Sequence, residues 1–178
     1  VEPPPDAYAI SKRLGENACE AHRAATTVVR LTSVFGPGQV ASEGATGAIA
    51  RFAGSALAGE PLVIVGNPER TRDFVYVDDL VPAVAEIVAA GRWGETVTLA
   101  RGEGMPLRRA AELVRAAAGS DSPIEVRAGD LGPGENESYA AERPPPEVPF
   151  SVRPLEDGIE LYVDWLRSHS AAQGGARA

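Results

Sequence analysis

Tyr8 and Lys12, four residues apart in Tyr8-Ala9-Ile10-Ser11-Lys12, are the pair in this sequence best suited to proton chemistry. On a helix, positions i and i+4 share a face. An ammonium beside a phenol stabilises the phenolate and lowers a pKa that is ordinarily about 10, which makes the phenol a usable general base near neutral pH. The sequence holds four tyrosines, one lysine and sixteen arginines. A lone lysine placed at random falls four residues after a tyrosine roughly 2% of the time. Arginine is no substitute, because its charge is a planar fork and not a compact point. The competing reading is an ordinary surface Tyr–Lys pair on an amphipathic helix.

Arginines supply the second chemical signal. Arg72 precedes a strand in Arg-Thr-Arg-Asp-Phe and Arg127 ends one in Val-Arg-Ala-Gly-Asp-Leu. Parallel guanidinium donors suit the paired oxygens of a diphosphate, and two arginines on different loops can clamp one anion. The alternative is a pair of surface salt bridges, Arg72–Asp73 and Arg127–Asp130, worth about 0–1 kcal/mol each. Asp78 and Asp79 read as a helix cap and not as a catalytic carboxylate pair. Cys19 and His22 read as helix-face residues; one cysteine and two histidines exclude an internal disulfide framework and a metal-ligand cluster.

The elements that must position these residues alternate between helix and strand. After the proline-rich entry 1–6, with Asp6 as a cap, the Tyr/Lys helix starts near Ala7 and fades by residues 24–26. Its apolar stripe Ile10, Leu14, Ala18 and Ala21 is expected to pack. A buried strand runs through Val28–Leu31 and ends at Gly36-Pro37-Gly38. With Ala41, that loop fits GxGxxA, but Pro37 lacks an N–H for a pyrophosphate and the loop follows the Tyr helix, so it is not a dinucleotide fingerprint. Helix Thr46–Leu57 stops at Gly59, and strands follow at Leu62–Val65 and Phe74–Val77. A helix with core stripe Leu80, Val84, Ile87 and Val88 tolerates Pro82 in its first turn. Strand Thr96–Leu99, helix Pro106–Ala118, strand Ile124–Arg127 inside a loop-rich stretch, and helix Leu155–Arg167 with Trp165 in the core complete the order, before a frayed tail.

Length and composition fit one domain with a real core: 178 residues, 44% hydrophobic, net charge −8. The acidic balance argues against nucleic acid and anionic membrane as partners, and no apolar run approaches the ~18 residues of a membrane span.

Three segments, YAISKRLGE, VVRLTSVFGPGQ and RTRDFVYVDDL, occur in an order and at separations that resemble the extended short-chain dehydrogenase/reductase family, the NAD-dependent epimerases and dehydratases of sugar nucleotides. The resemblance runs from about Pro4 to about Leu166. The family's glycine-rich cofactor loop lies well before its tyrosine, and only seven residues precede Tyr8; the chain looks like the C-terminal half of such an enzyme. The resemblance implies an α/β fold: the C-terminal part of a doubly wound Rossmann parallel sheet over 1–38 and 76–100, a smaller substrate cap over 39–75 and 101–169, and a disordered tail over 170–178. It implies a cytoplasmic enzyme, homodimeric when intact, that binds NAD (with NADP left open) and a nucleotide-diphosphate sugar. Tyr8 would take a sugar hydroxyl proton as hydride leaves for NAD, with Lys12 on the nicotinamide ribose; Leu31 and Val34 would line the nicotinamide pocket, or be plain core. Arg72 and Arg127 match diphosphate contacts, Asp130 an acidic residue near the nucleotide, and Leu62, Val63 and Ile64 a strand whose backbone meets the base. Ser33 stands where the family usually has Asn, which puts the particular sugar in doubt. A second reading, a non-catalytic nucleotide-binding or interaction module, follows from the missing phosphate loop.

Overall fold

The computed structural model describes residues 7–22, 25–39, 47–129, 131, 137–144 and 147–174, with backbone alone for 170–174. The entry 1–6, the start of the second helix at Thr46, and Asp130 lie outside the described residues. Five helices and eight short strands follow in chain order among them: α1 (Ala7–Ala21), β1 (Val28–Leu31), β2 (Ser33–Phe35), α2 (Ala48–Ala58), β3 (Leu62–Val65), β4 (Thr71–Arg72), β5 (Phe74–Tyr76), α3 (Val77–Ala89), β6 (Thr96–Leu99), β7 (Met105–Pro106), α4 (Leu107–Ala117), β8 (Ile124–Arg127) and α5 (Leu155–Gly174). β1–β6, β2–β5 and β3–β8 pair in parallel, while β4–β7 is a two-residue antiparallel pairing. Parallel partners far apart in sequence with helices between them are the signature of an α/β protein.

β5 is where the packing turns. Side chains alternate along a strand, so Phe74 and Tyr76 enter one apolar cluster with α2, β3, α4 and α5. Val75 enters another, with Leu80, Ala83 and Ile87 of α3, Val97 and Leu99 of β6, and Val148. Phe35 caps the first cluster, with edge-on ring contacts to Phe74, Tyr76 and Tyr162 at 6.5, 5.6 and 6.1 Å between centroids. Gly158 lets α5 approach this group, since a Cβ there would lie 3.1 Å from Tyr76 Cβ and 3.2 Å from Phe35 Cζ. α2 stops where expected: Gly59 takes φ +72° and its N–H donates back to the Ala56 carbonyl.

Several expectations are corrected. The apolar stripe of α1 does not pack; Ile10 and Leu14 are exposed, and no residue of the helix is buried. β1 is not a strand covered on both faces: Val28 and Val29 are half-buried, and Leu31 is 49% exposed. The physical reason is shared: β1 has β6 as its strand partner among the described residues, so nothing there covers its other edge or the underside of α1. The strand expected at Phe74–Val77 ends at Tyr76, which flanks α3; neither Asp78 nor Asp79 caps that helix. Asp79 instead accepts hydrogen bonds from Arg153 Nε (2.7 Å) and the Arg153 amide (3.0 Å). On α3 the buried residues are Leu80, Ala83 and Ile87, while Val84 and Val88 join Val81 on the exposed side. Trp165 is half-buried against the core, and α5 runs past Arg167 to Gly174. No helix among the described residues is long and apolar enough to cross a membrane.

Tyr162 gives this core a pH limit. Its ring is fully buried and its hydroxyl donates to the Gln39 carbonyl at 2.7 Å. Burial pushes the phenol up to about 12. The folded chain therefore keeps a proton that the unfolded chain releases near pH 10, so the contribution of Tyr162 is complete below about pH 10 and is lost as pH climbs towards 12. Tyr162→Phe should show a shallower loss of stability across that window in urea titrations followed by circular dichroism. Equal slopes for the two proteins would contradict this.

Candidate active site

The residues with chemical potential converge on one cleft of about 530 Å³, walled by the β1–β2 junction, the start of α2 and the β4–β5 junction. Tyr8, Leu31, Ser33, Val34 and Arg72 all line it. So do Thr32, Gln39, Arg51 and Arg70, which sequence reasoning missed. A signal existed for Arg70: it sits two residues before Arg72, and alternate residues of an extended segment face one way. Arg51 lies on the exposed side of α2 and carries no such mark. No Asp or Glu lines the cleft among the described residues. Three guanidiniums, those of Arg51, Arg70 and Arg72, thus line one concavity of a chain whose net charge is −8.

Each side chain is held by local structure. Arg70 is buried and donates from Nη1 to the carbonyls of Val65 (2.6 Å) and Asn67 (2.8 Å), closing the turn after β3. Arg72 donates from Nη1 to the carbonyls of Thr71 (2.9 Å) and Glu137 (2.7 Å). Tyr8 projects from the first turn of α1 and is 71% exposed. α1 is tied to β1 by Arg30, whose Nε and Nη2 reach the two carboxylate oxygens of Glu16 at 2.8 Å each. The hydrogen bond from Arg30 holds the Glu16 carboxyl below its ordinary pKa. Thr26 Oγ1 adds a bond to the Cys19 carbonyl at 3.1 Å.

Other expectations are not brought together. Lys12 does not line the cleft; its Nζ stands 5.0 Å from the Tyr8 ring centroid, over the face of the ring, as a cation–π contact. Arg127 is exposed and grips Glu125 at 3.0 and 2.6 Å, so the clamp expected of Arg72 and Arg127 is not formed. Leu62 and Ile64 are buried in the core, Val63 is half-buried beside them, and none of the three lines the cleft. The imagined Arg72–Asp73 surface bridge is replaced by a fully buried Asp73 bonded to backbone amides. A second, open cleft of about 540 Å³ beside α5 is lined by Asp79, Asp157, Glu160 and Asp164, with Arg153 engaged by Asp79, and has the opposite electrostatic sense.

Residues 1–100 match the NAD dependent epimerase/dehydratase family. The chain belongs to that family. It is 29% identical over 167 residues to a dTDP-4-dehydro-6-deoxy-D-allose reductase of Streptomyces bikiniensis, covering 92% of this chain and 51% of that protein. It is 30% identical over 134 residues to a dTDP-glucose 4,6-dehydratase of Xanthomonas campestris, covering 67% of this chain and 37% of that one. Among solved structures, an epimerase of Methanothermobacter thermautotrophicus superposes with TM-score 0.84 at 19% identity, over 97% of this chain and 53% of its own. The UDP-glucose 4-epimerase of Thermotoga maritima, solved with UDP-glucose, gives TM-score 0.76 at 23% identity, over 96% and 59%. These superpositions show an α/β fold that matches epimerase Rossmann-type folds over about half of their length, and the chain likewise spans about half the length of the first of these curated relatives.

Arg72 gives the direct test of the cleft's charge. Arg72→Ala should weaken binding of a diphosphate anion such as UDP by about 2–3 kcal/mol, the range for a lost charge-assisted hydrogen bond. Calorimetry showing equal affinity would return Arg72 to a structural role in holding residue 137.

Proposed function

We propose that this chain is the C-terminal, substrate-binding half of an NAD-dependent enzyme that acts on a nucleotide-diphosphate sugar. The observation that carries the reading is that the Tyr8 phenol and three arginines, Arg51, Arg70 and Arg72, line one cleft. The family is NAD-dependent, and its members among the relatives include reductases, dehydratases and epimerases. Epimerases and dehydratases share the first step that Tyr8 would serve, and in a reductase the same phenol would instead give its proton to the carbonyl oxygen. Arg72, Arg70 and Arg51 hold the diphosphate, and Ser33 donates a hydroxyl hydrogen bond to it or to the sugar. Tyr8 takes the proton of the sugar hydroxyl at the reacting carbon, and Lys12, when it reaches the ribose, stabilises the phenolate that makes this possible. NAD supplies a hydride acceptor.

The described residues suit one end of that cofactor. Leu31 and Val34 offer an apolar wall beside Tyr8, fit for a nicotinamide ring. No described residue forms a glycine-rich strand–helix turn of the kind that seats a pyrophosphate. The two apolar clusters support a division into a Rossmann part, 1–38 with 76–100, and a cap, 39–75 with 101–169. Val75, Val148, Phe150 and Val152 cross that boundary by packing with the Rossmann side, and Phe35 and Tyr76 cross it the other way. Among the described residues β1 has one strand partner and α1 has no buried residue, which supports a dinucleotide-binding half that adds its strands on that side. The same features favour the second reading, a binding module without turnover, for the chain as it stands.

Joined to a dinucleotide-binding half, Tyr8→Phe should abolish hydride transfer and leave NAD bound, because only the ionisable oxygen is removed. Reduction of NAD within a few-fold of the unsubstituted protein would remove Tyr8 from the mechanism. The 178-residue chain alone should turn over no sugar nucleotide with added NAD, and turnover by it would refute the half-enzyme reading.

A further inference from the structure

Asp73 is 0% exposed and lies between two cleft-lining residues, Arg72 and Phe74. A buried carboxylate costs heavily unless donors surround it. Here they come from across the chain: Oδ1 accepts from the Arg101 amide at 3.0 Å and from Thr32 Oγ1 at 3.2 Å, and Oδ2 accepts from the Gly102 amide at 2.9 Å. The Asp73 carbonyl also accepts the Ser33 amide at 2.9 Å. One residue thus fixes Thr32 and Ser33 on one wall against Arg72 and Phe74 on the other. The loop after β6 closes the clamp from behind, where Arg101 Nε bonds the Phe74 carbonyl at 3.1 Å.

We infer that Asp73 is a positioning residue for anion binding, setting the distance between the Ser33 hydroxyl and the Arg72 guanidinium through its bonds to Thr32, Arg101 and Gly102. The inference rests on the reading of the cleft as a diphosphate site. Asparagine is the same size, but its amide turns a donor towards the Gly102 or Arg101 N–H, opening one side of the clamp and shifting the Ser33 wall away from Arg72. The change also removes a buried negative charge beside the cleft, which by itself would strengthen anion binding, so a loss of affinity comes through geometry.

Titration calorimetry of UDP and dTDP with the 178-residue chain tests this. Asp73→Asn, checked for a native circular-dichroism spectrum, should bind about tenfold more weakly than the unsubstituted chain. In a Ser33→Ala background the same change should cost about threefold or less, because the hydroxyl it positions is gone. Thr32→Val, which removes one donor without adding another, should repeat the pattern in smaller size, and it decides the question if Asp73→Asn does not fold. Unchanged affinity, or a loss of the same size with and without Ser33, overturns the positioning role and leaves the cleft's ligand in place. If the unsubstituted chain binds neither nucleotide, the diphosphate reading fails, and the positioning role with it.

Discussion

Strand β5 is three residues long and buried along its whole length, and alternation sends Phe74 and Tyr76 into one core and Val75 into the other. Every other element is arranged by that constraint. A strand buried on both faces must be covered on both, so α5 lies over Phe35 and Tyr76 while α3 and β6 lie over Val75. One edge of its backbone pairs with the parallel strand β2, the Phe74 carbonyl accepts from Arg101 Nε, and the charge that enters this dry region, Asp73, is met by amides and a hydroxyl. The cleft opens where this seam reaches the surface, which is why its walls belong to both cores and why Ser33, Thr32, Arg72 and Phe74 are near one another at all.

Electrostatics then divides the molecule's surface. The chain is acidic overall, and its carboxylates gather along α5, where Asp157, Glu160 and Asp164 line their own open cleft. Arginines gather at the other cleft. The two concavities thus differ in electrostatic sense, a contrast that the net charge of the chain does not show.

Much of this was legible in the sequence. Tyr8 and Lys12 were visible by spacing, the helices by period, and Gly59 by its stop; the three segments in order carried the family. What stayed hidden depends on contacts between residues remote in the chain. Asp73 is matched by donors 28, 29 and 41 residues away, and Asp79 by Arg153, 74 residues on, so each looked like a local cap or surface bridge. β4 and β7 are two residues each, too short for any period to show. α1 and β1 misled in the opposite way. Their apolar residues announce burial, and the partners that burial requires are not among the described residues. Arg127 misled because its neighbour Glu125 lies on the same side of the strand, two residues back, and captures it.

On the proposed function, the arginine cleft beside Tyr8 is where a nucleotide diphosphate binds. Backbone amide spectra of the ¹⁵N-labelled chain during titration with UDP or dTDP test it most directly. Shifts should concentrate at Thr32, Ser33, Arg51, Arg70 and Arg72, with Asp157, Glu160 and Asp164 unmoved. Shifts confined to the acidic face of α5, or a spectrum unchanged at millimolar nucleotide, would contradict it.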